Sequence, residues 1–244
     1  MKETDLGGLR VRIAGGTDRQ GGGTGPVVVL LHGFGAPGDD LAALWRVMNV
    51  PPGTRFVFPE APLSLGPAYG GGRAWWNIDM VRLQLALQAG KTRDLSEEIP
   101  DGLAAAREAL VGMLGKLQVA LHPSHVILGG FSQGAMLACD VALRTDLRID
   151  GLVLLSGSLI GAPEWTPLIS KRAGLRVLQS HGREDPVLPF SLAERLRDLL
   201  REGGLDVTWV PFNGGHGIPP GVLDDLGKFV TLISEGVSGG VSAG

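Results

Sequence analysis

The chain has 244 residues, which suits one large α/β domain or two small ones. Lys and Arg number 22 against 25 Asp and Glu, a net charge of −3, and no stretch is basic enough to form a nucleic-acid face. The longest clean apolar run, "VVVLL" at 27–31, is too short to cross a bilayer, so no integral membrane segment is expected.

The N-terminal "MKETDLGG" is charged and lacks the apolar stretch of a secretory signal. The single cysteine, Cys139, cannot form an intrachain disulfide, and its place in an apolar helix reads as a small buried thiol. A cytoplasmic location follows as the expectation. "LRVRIA" at 9–14 is the first expected strand, and the glycine-rich stretch 15–25 reads as a flexible connector. Residues 1–25 are therefore assigned to an N-terminal strand and connector, 26–234 to a single domain, and 235–244 to a flexible tail.

Further strands are expected at 26–31, 55–59, 125–130, 149–156, 175–181 and 206–212, and helices at 39–48, about 100–120, 133–145, about 190–203 and 219–234. Several strands are almost continuously apolar, as parallel strands buried on both faces are. Their alternation with helices implies an open, mostly parallel α/β sheet with helices on both faces. Residues 60–99, containing "APLSLGPAYGGGRAWWNIDM", break the rhythm and read as an irregular segment on the substrate side.

In such a sheet, ligands bind beyond the carboxyl ends of the strands. "GFSQG" follows one strand and opens a helix, so Ser132 sits at a tight strand-to-helix turn between Gly130 and Gly134. That turn strains the serine and exposes its hydroxyl, the geometry of an activated nucleophile; the alternative is an ordinary helix-capping serine. A serine needs a base. His122 and His125 flank the start of a strand, at the wrong end of the sheet, and His32 and His181 read as turn-holding residues. His216, in the glycine-rich loop "FNGGHGIPP", is the candidate base. Asp185 in "HGREDPVLP" is the candidate acid that orients it, with Glu184 as the alternative. The order Ser132, Asp185, His216 is the serine, acid, histidine order of α/β-hydrolases. The backbone N–H groups of Phe34 in "LHGFG" and of Gln133 are the candidate oxyanion donors.

These motifs together resemble the phospholipase/carboxylesterase family, which includes the acyl-protein thioesterases. The resemblance runs from about 26 to 231 and is carried by "LLHGFG", "FPEAP", "RAWWNID", "GFSQGAMLA", "SHGREDPVLP" and "GGHG". It implies an α/β-hydrolase fold, with Ser132 as nucleophile, Asp185 as acid, His216 as base, and Phe34 and Gln133 as oxyanion donors. It also implies hydrolysis of small-molecule esters or thioesters through an acyl-enzyme, without metal or cofactor. The chain departs from the family pattern where Ala36-Pro37 precede Asp39-Asp40, and where Asn77 follows Trp75-Trp76.

For the acyl site, Leu63, Trp75 and Trp76 are expected to form an apolar wall, with the two tryptophans as core residues the alternative. Trp45 and Trp209 read as core. Arg73 is a candidate contact for an anionic substrate group, or a solvated side chain. The favoured substrates are esters of small or medium acyl groups. The alternatives are an acyl-protein thioesterase or lysophospholipase preferring long chains, and a low-turnover binding protein on the same fold. Monomer and homodimer both stay open.

Overall fold

The computed structural model describes residues 1–79 and 94–236. Part of the irregular segment 60–99 and most of the expected C-terminal tail lie outside the described residues.

In chain order the strands are β1 (Lys2–Leu6), β2 (Leu9–Gly15), β3 (Val27–Leu31), β4 (Arg55–Pro59), β5 (Leu63–Ser64), β6 (Arg73–Ala74), β7 (Val126–Phe131), β8 (Gly151–Leu155), β9 (Arg176–Gly182) and β10 (Asp206–Phe212). The α-helices are α1 (Leu103–Leu121), α2 (Gln133–Arg144), α3 (Ala162–Ile169), α4 (Phe190–Glu202) and α5 (Pro220–Ser234). The main sheet has the order β1-β2-β4-β3-β7-β8-β9-β10, and β5 pairs with β6 in a separate two-stranded ribbon. From β4 to β10 neighbouring strands of the main sheet run parallel, while β1 and β2 add an antiparallel edge.

Alternate residues of the central strands feed two cores. Val27, Val29 and Leu31 of β3 face a core built with α1, α2, α3 and α4, while Val28 and Leu30 face one built with α5 and Leu41 and Ala42. This division is the reason the strands read as continuous apolar runs: both faces are covered. Helix α2 is buried along its whole length up to Leu143. Its one acidic residue, Asp140, accepts hydrogen bonds from Arg107 of α1 at 2.7 Å, from Arg144 at 2.8 Å and from Trp165 of α3 at 2.9 Å, so a single carboxylate ties three helices together. Cys139 is buried beside it; burial, then the charge of Asp140, pushes its thiol far up and keeps it protonated.

Several elements differ from the sequence expectation. The helix expected at 39–48 is a run of 3₁₀ turn over Asp40–Arg46. Strand β1 and helix α3 were not expected. The first is a charged edge strand, and the second contains Pro163 and Pro167, residues that a helix accepts readily only in its first turn. The connector expected to be flexible is tied down. Thr17 N–H donates to Gly22 O at 3.0 Å, and the Asp18 carboxylate accepts the N–H groups of Gln20 and Gly22. The buried Arg55 guanidinium donates to the carbonyls of Gly23, Gly25 and Leu121 at 2.5–2.8 Å. Trp45 and Trp209 are half-buried instead of core: Arg19 and Arg46 lie 5.5 and 5.6 Å from the Trp45 ring centre, and Arg197 lies 5.2 Å from that of Trp209.

Candidate active site

Ser132 stands between β7 and α2 with φ 55° and ψ −116°, a region that non-glycine residues enter only under strain. The strain, on the order of 1–3 kcal/mol, is held by the sheet, because Ser132 N–H donates to Leu155 O of the neighbouring strand at 2.9 Å. The flanking glycines allow the turn. A Cβ on Gly130 would come within 2.5 Å of the Gly134 carbonyl carbon, and one on Gly134 within 2.7 Å of His32 O. The helix therefore starts hard against the end of β3.

Three side chains from three strand ends meet there. Ser132 Oγ lies 2.9 Å from His216 Nε2, and His216 Nδ1 lies 2.6 Å from Asp185 Oδ2. His216 packs its ring 4.8 Å from that of Phe131. The other Asp185 oxygen accepts the N–H groups of Val187 at 2.8 Å and Leu188 at 2.9 Å. Burial alone would push this carboxyl up, but the hydrogen bonds from His181, His216 and Leu188 outweigh it and hold the group far below the usual carboxylate range. Glu184, the alternative acid, is exposed on the outside of the same turn. His122 and His125 lie at the amino end of β7, away from this cluster.

Gln133 follows the serine at the start of α2, and Phe34 belongs to the loop beside it. A Cβ on Gly33 would come 3.3 Å from Ser132 Cβ, so the loop carrying Phe34 abuts the nucleophile turn. Among the described residues, neither the Phe34 nor the Gln133 N–H donates to another protein group. Two free donors beside one strained hydroxyl can stabilise negative charge developing on a carbonyl oxygen.

The expected substrate wall is corrected. Trp75 and Trp76 are 1 % and 3 % exposed and belong to the core under the sheet, so they offer no open surface to a substrate. Trp75 instead stitches the site together. Its Nε1–H donates to His32 O at 3.0 Å, and its N–H donates to Gln133 Oε1 at 2.9 Å. Arg73 is also committed: it donates to the carbonyls of Ala61 and Pro62 at 2.5 and 2.9 Å and lies 3.3 Å from Glu60, which holds the chain leaving β4. Leu63 is exposed on the β5–β6 ribbon, and nearby Tyr69 meets Phe34 edge-on at 6.2 Å. Among the described residues, no group of three or more His, Cys, Asp or Glu side chains is arranged to hold a metal ion.

Two further residues escaped the sequence reading. Ser156, just past β8, also has a positive φ of 47°, and its Oγ–H donates to Gly217 O at 3.0 Å, anchoring the loop that carries His216. His181 lies with its Nε2 3.2 Å from the Asp185 oxygen that meets His216. A serine at an unusual φ after a strand is invisible in sequence, whereas the histidine was visible but without its partner.

No helix among the described residues is long and apolar enough to cross a membrane. The family model described as Phospholipase/Carboxylesterase matches residues 20–234. Acyl-protein thioesterase 1 of Gibberella zeae is 25 % identical over 218 residues, covering 83 % of this chain and 88 % of its own. A probable carboxylesterase of Oryza sativa subsp. japonica is 30 % identical, covering 87 % of this chain and 89 % of its own. The crystal structure of esterase PE8 superposes with a TM-score of 0.75 at 30 % identity, over 92 % of this chain and 99 % of that one. With the parallel sheet and the serine–histidine–aspartate contact at its carboxyl edge, these matches show that the chain belongs to the phospholipase/carboxylesterase family of α/β-hydrolases and hydrolyses carboxylic esters or thioesters.

Proposed function

We propose that the protein is a serine esterase that cleaves small or medium acyl esters through Ser132, His216 and Asp185. The observation that carries this reading is the unbroken contact from Ser132 Oγ to His216 Nε2 at 2.9 Å and from His216 Nδ1 to Asp185 Oδ2 at 2.6 Å. Ser132 Oγ attacks the acyl carbon as its proton passes to His216 Nε2. The carbonyl oxygen takes up the electron pair and is stabilised by the Phe34 and Gln133 N–H groups. The tetrahedral centre then collapses, the bond to the leaving oxygen or sulfur breaks, and His216 returns the proton to the leaving group. Water, deprotonated by His216, attacks the acyl-enzyme by the same steps and releases the acid. Asp185, held ionised, fixes the His216 tautomer and stabilises the imidazolium.

The ester side of this reading is supported by the two matches at 30 % identity, a probable carboxylesterase and an esterase; the small-to-medium acyl length is part of the proposal. The second reading, a thioesterase for long acyl chains, draws on the fungal acyl-protein thioesterases at 25–29 % identity. Measured kcat/KM on p-nitrophenyl esters from acetate to palmitate, with matching acyl thioesters, decides between them. A maximum at short or medium esters is expected; a rise through to palmitoyl thioester overturns the preference. A reducing cytoplasm is the proposed setting, since the one cysteine cannot form an intrachain disulfide.

A further inference from the structure

We propose that His181 is a positioning residue for the catalytic acid: it shares Asp185 Oδ2 with His216 and sets how strongly that oxygen holds the catalytic imidazole. The inference rests on the triad proposed above. His181 Nε2 has two neighbours, Leu188 O at 2.9 Å and Asp185 Oδ2 at 3.2 Å, and both are acceptors. The ring proton therefore sits on Nε2, where it donates to Leu188 O and lies beside Asp185 Oδ2. Nδ1 is buried without a hydrogen-bond partner, so a second proton there would be an unsatisfied donor in the interior. His181 thus donates through Nε2, held in that orientation by the Leu188 carbonyl.

The ring is enclosed. It lies near the end of β9, is fully buried, and meets the Phe190 ring of α4 edge-on at 6.1 Å. Asp185 Oδ1 is saturated by the N–H groups of Val187 and Leu188. His181 is then the one side chain besides His216 that reaches Oδ2 among the described residues. The other charged groups of this turn point elsewhere: Arg183 lies over the Phe190 ring at 5.1 Å, and Glu184 is exposed. The elements packed on the two imidazoles present aromatic rings, Phe190 from α4 and Phe131 from β7.

An oxygen that accepts two N–H groups offers less charge to each. With His181 in place, the pull of Asp185 on the His216 proton is moderated and the carboxylate cannot rotate. Without it, Oδ2 would bind His216 alone, the imidazolium would be favoured, and more alkaline solution would be needed to free His216 as a base.

The test is the pH profile of kcat/KM on p-nitrophenyl acetate for the parent, His181→Leu and His181→Gln. Leucine removes the donor and fills the space, whereas glutamine can place an amide N–H where Nε2 stood. His181→Leu is expected to move the midpoint of the rising limb upward by about half a pH unit or more and to lower the plateau roughly threefold to tenfold. His181→Gln is expected to return the midpoint close to that of the parent. If leucine prevents folding, His181→Asn replaces it, because its shorter amide falls short of Oδ2 and must show the same upward displacement. A midpoint that stays or falls in the donor-deleted variant, or a glutamine variant that behaves like it, overturns the inference. Turnover that survives Ser132→Ala or His216→Ala would instead remove the triad reading on which it rests.

Discussion

Gln133 and Trp75, 58 positions apart, are joined by a 2.9 Å hydrogen bond from the Trp75 N–H to the buried Gln133 side chain. The same amide donates to Trp76 O at 2.9 Å, so the residue next to Ser132 grips the tryptophan segment while Trp75 grips the His32 carbonyl. Both candidate oxyanion donors are therefore braced by one peptide. Trp75→Phe keeps an aromatic side chain but removes the indole N–H and strands the His32 carbonyl, at a cost of about 1–3 kcal/mol. It is expected to lower kcat for all esters alike and leave their ranking unchanged. Trp76→Ala is expected to cost about 3–5 kcal/mol, as a core tryptophan does. Melting curves and an ester chain-length series check both. A change of ranking would return an indole to the substrate's side.

Ser132→Ala should fold as the parent does. The change removes one hydroxyl from a strained turn that the sheet holds through Ser132 N–H and Leu155 O. Stability is expected within about 1 kcal/mol of the parent, and esterase turnover at least about 10³-fold lower. Residual turnover within tenfold of the parent would mean that another group is the nucleophile.

Asp185 ties acid stability to the site. Its carboxyl is held below the ordinary value of 3.8, so the unfolded chain binds the proton more readily than the folded one. The resulting stabilisation is complete above that value and is lost as the pH falls below it. Asp185→Asn should flatten the acid limb of the melting temperature between about pH 4 and pH 2. At neutral pH it should lower kcat by about 10⁴-fold, because asparagine stabilises the wrong imidazole tautomer.

His32 works in the next window up. Its Nδ1–H donates to Gly33 O at 2.8 Å and its Nε2 accepts the Ala61 N–H at 3.1 Å, which fixes the neutral ring. Burial pulls it below its ordinary value of 6.5, so stability is full above that pH and declines as the pH drops below it. His32→Gln should lose stability overall but show a smaller fall in melting temperature between pH 7 and pH 5. Equal slopes in parent and variant would show that His32 does not exchange its proton on unfolding.

The meeting of Ser132, His216 and Asp185 was legible because each follows its own strand and carries local punctuation: glycines around Ser132, Pro186 after Asp185, a glycine loop around His216. Central strands were legible for the same reason that they are buried. What failed was anything decided by a distant partner. Arg73 spends its donors on backbone carbonyls, which leave no mark in a sequence. Trp75 and Trp76 look alike as a pocket wall or as core, and only packing separates the two. His181 was seen as a turn residue, but its approach to Asp185 depends on the turn between them closing. Strand β1, "KETDL", lacks an apolar face because it is a solvent-exposed edge.

The arginine under the glycine-rich connector sets where the polypeptide can be cut. Arg55 sits in β4 with no exposed surface, and two of its three acceptors, Gly23 O and Gly25 O, precede β3. A chain begun at residue 26 would keep every strand from β3 onward yet lose two of the three carbonyls that hold the guanidinium, and Leu121 O would remain. The stretch that looks most dispensable is thereby a plug, and trimming the protein to its apparent catalytic domain would uncork it.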